Sequence, residues 1–109
     1  MKPSKILLLR AEIESDLADL EKVVSEIARL RMDIGSEEPS YRDKAAIGAL
    51  LHSFYNGIES ILKRIAVEID ESVPVGDGWH RALLKCMEKD VAGVRPAVLD
   101  HETVSVLGP

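Results

Sequence analysis

The chain has 109 residues, 46% hydrophobic and 30% charged, enough for one domain and too apolar for a disordered segment. Fourteen Lys and Arg against nineteen Asp and Glu leave a net charge of −5, which argues against a nucleic-acid clamp spread over the whole surface. The lone cysteine, Cys86, excludes an internal disulfide, and neither the Ile6–Leu9 run nor the opening Met1-Lys2-Pro3-Ser4 reads as a membrane span or signal peptide, so the expectation is a soluble cytoplasmic domain.

The first periodicity is heptad-like. Ile6, Ile13, Leu20, Ile27 and Ile34 recur every seven residues, and Leu9, Leu17, Val23, Val24 and Leu30 fill neighbouring positions of the stripe. Glu12, Asp16, Asp19, Lys22, Glu26 and Arg29 fall largely on the opposite side, the pattern of an amphipathic helix. Neither proline nor glycine breaks the run between Ser4 and Ile34, so a helix is expected there, with Ser4 as its N-cap and Gly35 just past its end. Its length of roughly 45 Å calls for a partner of similar span.

Gly35-Ser36-Glu37-Glu38-Pro39-Ser40 reads as a loop, and from Tyr41 the apolar pattern resumes at Ile47, Leu51, Phe54, Ile58, Ile61 and Ile65. Gly48 and Gly57 each weaken that second helix by roughly 1 kcal/mol relative to alanine, which close helix packing would offset. The two long helices are expected to pair as an antiparallel hairpin. Val73-Pro74-Val75-Gly76-Asp77-Gly78 then ends the second helix. Asp77 is a candidate cap for a shorter helix over Trp79–Lys89, with Trp79, Leu83, Leu84 and Met87 facing inward. After the linker Ala92-Gly93-Val94-Arg95-Pro96, Asp100 is expected to cap a helical stub beginning at His101. The fold class is therefore all-α: an up-down bundle of two long antiparallel helices, one shorter helix and a C-terminal stub, in a single domain over residues 1–109.

The search for chemistry returns few candidates. His80 and Cys86 are six apart and do not share a helical face, so no metal centre is expected; no cofactor motif is present either. Cys86 beside Met87 reads as a buried thiol rather than a nucleophile. His52, Tyr55, Asn56, Glu59 and Lys63 run along one flank of the second helix, where they form a polar network, an interface or part of a binding groove. Trp79-His80-Arg81, with Lys85 and Lys89 behind it, is a basic strip led by an aromatic, either a solubilising face or a contact for RNA.

The segment from Tyr41 to Glu59, its continuation Ile61-Leu62-Lys63-Arg64-Ile65-Ala66, the stretch Gly76-Asp77-Gly78-Trp79-His80-Arg81 and the piece Val94-Arg95-Pro96-Ala97-Val98-Leu99 together resemble the HepT-like branch of the HEPN superfamily. The resemblance implies a small helical bundle that dimerises. It also implies a toxin, a metal-independent endoribonuclease, paired with a minimal nucleotidyltransferase antitoxin that silences it by adenylylating a tyrosine. Catalysis in that family rests on an Arg-x4–6-His motif in a C-terminal helix. In this chain that spacing occurs at Arg95-x5-His101, straddling Pro96, and the sequence closes at Gly108-Pro109. The expectation is a shortened HepT-like domain with an incomplete nuclease site, in which Arg95 and His101 are the catalytic candidates. His52, Tyr55, Asn56, Glu59, His80 and Arg81 are the binding candidates. The alternative is a non-catalytic helical module that dimerises or binds a nucleotidyltransferase.

Overall fold

A computed structural model describes residues 2–108. The described residues are all-α, with helices α1 (Pro3–Ile34), α2 (Tyr41–Ile65), α3 (Trp79–Glu88) and α4 (His101–Leu107). A π-helical turn, Ala66–Asp70, extends α2, and an isolated antiparallel bridge joins Val91 to Arg95. The chain divides into two compact units, residues 1–61 and 62–109, with α2 running through the boundary.

The first unit is the expected hairpin. Along α1, Ile13, Leu20, Val23, Ile27, Leu30 and Ile34 are half-buried; along α2, Ile47, Leu50, Phe54 and Ile58 are half-buried and Ile61 is buried. Asp16, Leu20 and Val23 line one groove with Ser53, Gly57 and Ser60. Leu20 lies 14 residues before the end of α1 and Gly57 lies 16 residues after the start of α2, so their contact is nearly equidistant from the short 35–40 loop, as an antiparallel pair requires. Gly57 is the point of close approach: a Cβ there would lie 2.6 Å from Leu20 Cδ2.

Several boundaries differ from expectation. Lys2, not Ser4, precedes the first turn of α1, because Pro3 at the first helical positions has no N–H to satisfy and is already set to helical φ. Leu51 does not join the seam; it is 42% exposed while Leu50 turns inward. Gly78, not Asp77, takes the N-cap position of α3, where its φ of 76° suits glycine and not an L side chain.

The second unit has its own small core. Leu83 and Met87 are fully buried on α3, together with Leu62, Ile65 and Ala66 at the end of α2. Trp79 and Leu84 are half-buried beside them. The backbone N–H groups of Val98 and Leu99 both donate to Met87 O, which ties the segment before α4 to α3. Asp100 caps α4 as expected, accepting from Thr103 N at 2.7 Å.

Candidate functional site

The polar flank of α2 lies within the first unit. Asn56 Nδ2 donates to His52 Nε2 at 3.1 Å, one helical turn apart on the exposed side. That bond runs along the helix, so it braces the flank without bridging the hairpin. Tyr55 is 43% exposed, and its ring meets Phe54 edge-on at 5.9 Å. Glu59 is half-buried. His52, Tyr55, Asn56 and Glu59 thus present an imidazole, a phenol ring, an amide and a carboxylate along one flank of α2, while Phe54 belongs to the inward row.

Lys63 and the Trp79-His80-Arg81 strip come together in the second unit. The Lys63 ammonium sits 4.1 Å from the centre of the Trp79 ring, a cation–π contact between the end of α2 and the start of α3. The His80 ring stacks against Trp79 with centroids 3.5 Å apart and a 30° tilt. His80 and Arg81 are exposed, as are Lys85 on α3 and Lys89 just past its end. The strip can offer positive charge and a ring face, but Trp79 itself is held by Lys63.

Among the described residues, Arg95 is the one charged or polar residue that is buried. The π-helical turn ends at Asp70, and the turn between Val91 and Arg95, with Gly93 at φ 76°, brings the guanidinium to that carboxylate. Arg95 Nε and Nη2 donate to Asp70 Oδ1 and Oδ2, both at 2.8 Å, a bidentate fork. Nη1 donates to Lys89 O at 2.8 Å and to Pro96 O at 3.1 Å, and Nη2 donates also to Cys86 O at 2.9 Å. All five guanidinium N–H donors are therefore occupied. Donating to the Asp70 carboxylate holds the Arg95 pKa above its ordinary value, against the opposing effect of burial.

His101 goes elsewhere. Its Nδ1 lies 2.7 Å from Glu88 Oε1 on α3, and the ring is 85% exposed. Arg95 thus meets Asp70 and three carbonyls while His101 meets Glu88. Next to it, hydrogen bonds from the Thr103 side chain and N–H lower the Asp100 carboxyl below its ordinary pKa. Asp70 and Glu88 were not singled out in the sequence. The signal for Asp70 is indirect: an arginine set among Val94, Pro96, Ala97, Val98 and Leu99 needs a carboxylate, but nineteen acidic residues leave the choice open.

Among the described residues, no three His, Cys, Asp or Glu side chains are grouped to hold a metal ion, and no helix is long and apolar enough to cross a membrane. No curated protein and no solved structure matches the chain. A family model described as HepT-like protein matches residues 46–108, more than half of the sequence, from the small-residue stretch of α2 through the Arg95 clasp to the end of α4. With that match laid over an all-helical chain, the protein belongs to the HepT-like family and carries a HEPN-type domain.

Proposed function

We propose that the chain is the HepT-like component of a toxin–antitoxin pair of the HEPN/nucleotidyltransferase type, that its nuclease centre is incomplete, and that it works in the cytoplasm by contact with other protein chains. The observation that carries this reading is the occupancy of Arg95. Metal-independent cleavage of RNA by the family chemistry asks for a base near the ribose 2′-hydroxyl and a cation whose N–H groups reach the phosphate as charge develops there. Arg95 has no N–H left to give a phosphate, because Asp70, Lys89, Pro96 and Cys86 accept all five. His101, directed to Glu88, has no cationic partner in Arg95.

Protein contact is supported by the exposed apolar side chains of the hairpin. Leu17 and Val24 on α1, and Leu51 and Tyr55 on α2, are each between 42% and 50% exposed. Such side chains at helical spacing are what a second copy or a nucleotidyltransferase antitoxin would cover. RNA contact, if retained, belongs to the His80–Arg81 strip and not to Arg95.

The test pairs two assays on the same protein. Incubation with RNA in the presence of a chelator is expected to leave the RNA intact, and co-purification with a minimal nucleotidyltransferase is expected to give a stable complex. Cleavage without divalent metal that disappears in a folded His101→Ala protein would overturn the reading and restore a catalytic centre. A folded chain that neither cleaves RNA nor binds any nucleotidyltransferase offered to it would instead favour a helical module outside toxin–antitoxin systems.

A further inference from the structure

The segment that follows Pro96 is fastened to α3 at three places. At its start the N–H groups of Val98 and Leu99 both donate to Met87 O, at 2.8 and 3.0 Å. In its middle, His101 Nδ1 lies 2.7 Å from Glu88 Oε1. At its far end Gly108 presses on Leu84, where a Cβ would come within 2.8 Å of Leu84 Cδ1. Between these fastenings α4 packs on α3 without burying a residue of its own. Thr103, Val104 and Leu107 are half-buried, and the other side chains of the helix are exposed.

The two sides of Ala97 are held very unequally. Before it stands the clasp, in which Arg95 is only 5% exposed and its Nη1 also fixes Pro96 O. After it, the chain depends on one shared carbonyl, one apolar contact and an ion pair whose imidazole is 85% exposed, and such exposed pairs contribute little. Nor can α4 stand by itself. Seven residues are fewer than an isolated helix needs in water, so its turns persist only while it lies on α3. Undocking and melting of α4 are therefore one event, and the fastenings at its two ends are lost together.

We propose that residues 97–108 form a displaceable strap, which leaves α3 as a single unit about a hinge at Ala97 while Arg95 stays clasped to Asp70. His101 and Glu88 are its latch. Closed, the strap covers the Leu84 side of α3; open, it uncovers that side, so it gates access to it. Few buried apolar contacts and a rigid root are what set such a segment at the low end of opening free energy. The strap stands apart from the toxin–antitoxin reading, since it closes on the chain's own α3.

The experiment is amide hydrogen exchange on the full chain, read residue by residue by NMR. Val98, Leu99 and residues 104–107 are expected to share one protection factor, at least about tenfold below that of Leu83 and Met87. Leu84→Ala removes the far fastening and is expected to speed exchange about tenfold at Val98 and Leu99, the opposite end, as well as at 104–107. Glu88→Ala removes the latch and is expected to speed both places by a common factor of about two to five. In that variant the Arg95 N–H, which donates to Val91 O on the clasped side of the hinge, is expected to keep its rate. Protection that falls away stepwise from residue 107 back to Leu99, with Leu84→Ala felt only at 104–107, would overturn the proposal in favour of simple fraying. Val98 and Leu99 exchanging no faster than Met87 would overturn it too, because the segment would then open only when the whole unit unfolds. No partner enters the measurement, so failure of the strap and failure of the proposed function are read separately.

Discussion

Replacing Arg95 by alanine is expected to destabilise the second unit by about 3–5 kcal/mol, the range found when one member of a buried ion pair is removed. The structure places the change at that level for three reasons. The Arg95 and Asp70 side chains are only 5% and 16% exposed, so water cannot replace the lost partner fully. Two charge-assisted bonds of 2.8 Å vanish, leaving the Asp70 carboxylate without its counter-ion. Lys89, Pro96 and Cys86 also lose a donor at their carbonyls. Against a typical domain stability of about 5–15 kcal/mol, that loss is large.

Three variants separate charge from geometry. Arg95→Lys keeps the cation but not the planar fork, and is expected to recover less than half of the loss. Asp70→Asn removes the anion and turns an amide N–H toward a guanidinium N–H, so it is expected to be nearly as damaging as Arg95→Ala. Arg95→Met with Asp70→Leu removes both charges together, and is expected to be milder than either single change. Urea unfolding followed by circular dichroism measures these differences as midpoint shifts at constant slope. Amide exchange at Val98 and Leu99 should accelerate with them, because those N–H groups hold the chain to Met87. The pH dependence has a definite sign. A pKa raised in the folded state stabilises wherever arginine is charged and is lost only as the pH rises through that raised value, so the Arg95 cation brings no acid or neutral transition. An Arg95→Ala protein within about 1 kcal/mol of wild type would refute the clasp as a stabilising element.

Other perturbations report on single contacts. Asp100 has its pKa lowered by Thr103, so its cap is complete above the ordinary carboxylate range and is lost as the pH falls through the lowered value; amide exchange over residues 104–107 should rise on acidification, and Asp100→Ala should reproduce that fraying at neutral pH while Asp100→Asn largely prevents it. Gly57→Ala gains helix propensity but drives a methyl into Leu20, for a net loss of about 1 kcal/mol in chemical denaturation; a gain instead would show that Leu20 swings aside freely. Gly48→Ala, with open space around its Cβ, should stabilise the protein by about 0.5–1 kcal/mol in the same assay. Lys63→Gln removes the cation over Trp79 and should cost about 0.5–1 kcal/mol, together with a change in Trp79 fluorescence, the only tryptophan signal in the chain.

The hairpin was legible in the sequence because local periodicity is a property of neighbours along a helix. Of the heptad row, Ile13, Leu20, Ile27 and Ile34 needed only the seven-residue spacing to be placed inward, while Ile6, half exposed near the start of α1, does not follow them; Asp100 needed only Thr103 three residues later to act as a cap. What escaped depends on residues far apart. Asp70 and Arg95 are separated by 25 positions, and Glu88 and His101 by 13, so no helical spacing connects either pair. The π-helical turn that ends at Asp70 was equally hidden, since Ala66-Val67-Glu68-Ile69-Asp70 continues the apolar pattern of α2 and says nothing of a widened turn. The same limit decides how the Arg95-x5-His101 spacing should be weighed. Motif spacing carries catalytic meaning when one rigid element fixes both side chains, and here Pro96 and an irregular segment separate the turn holding Arg95 from the helix beginning at His101. The two residues are then free to answer to different tertiary partners, and Asp70 and Glu88 are those partners. Glycine carries the complementary lesson: Gly48 and Gly57 read identically in the sequence, and only the presence of Leu20 beside one and open space beside the other separates a glycine held by close packing from one with room for a side chain.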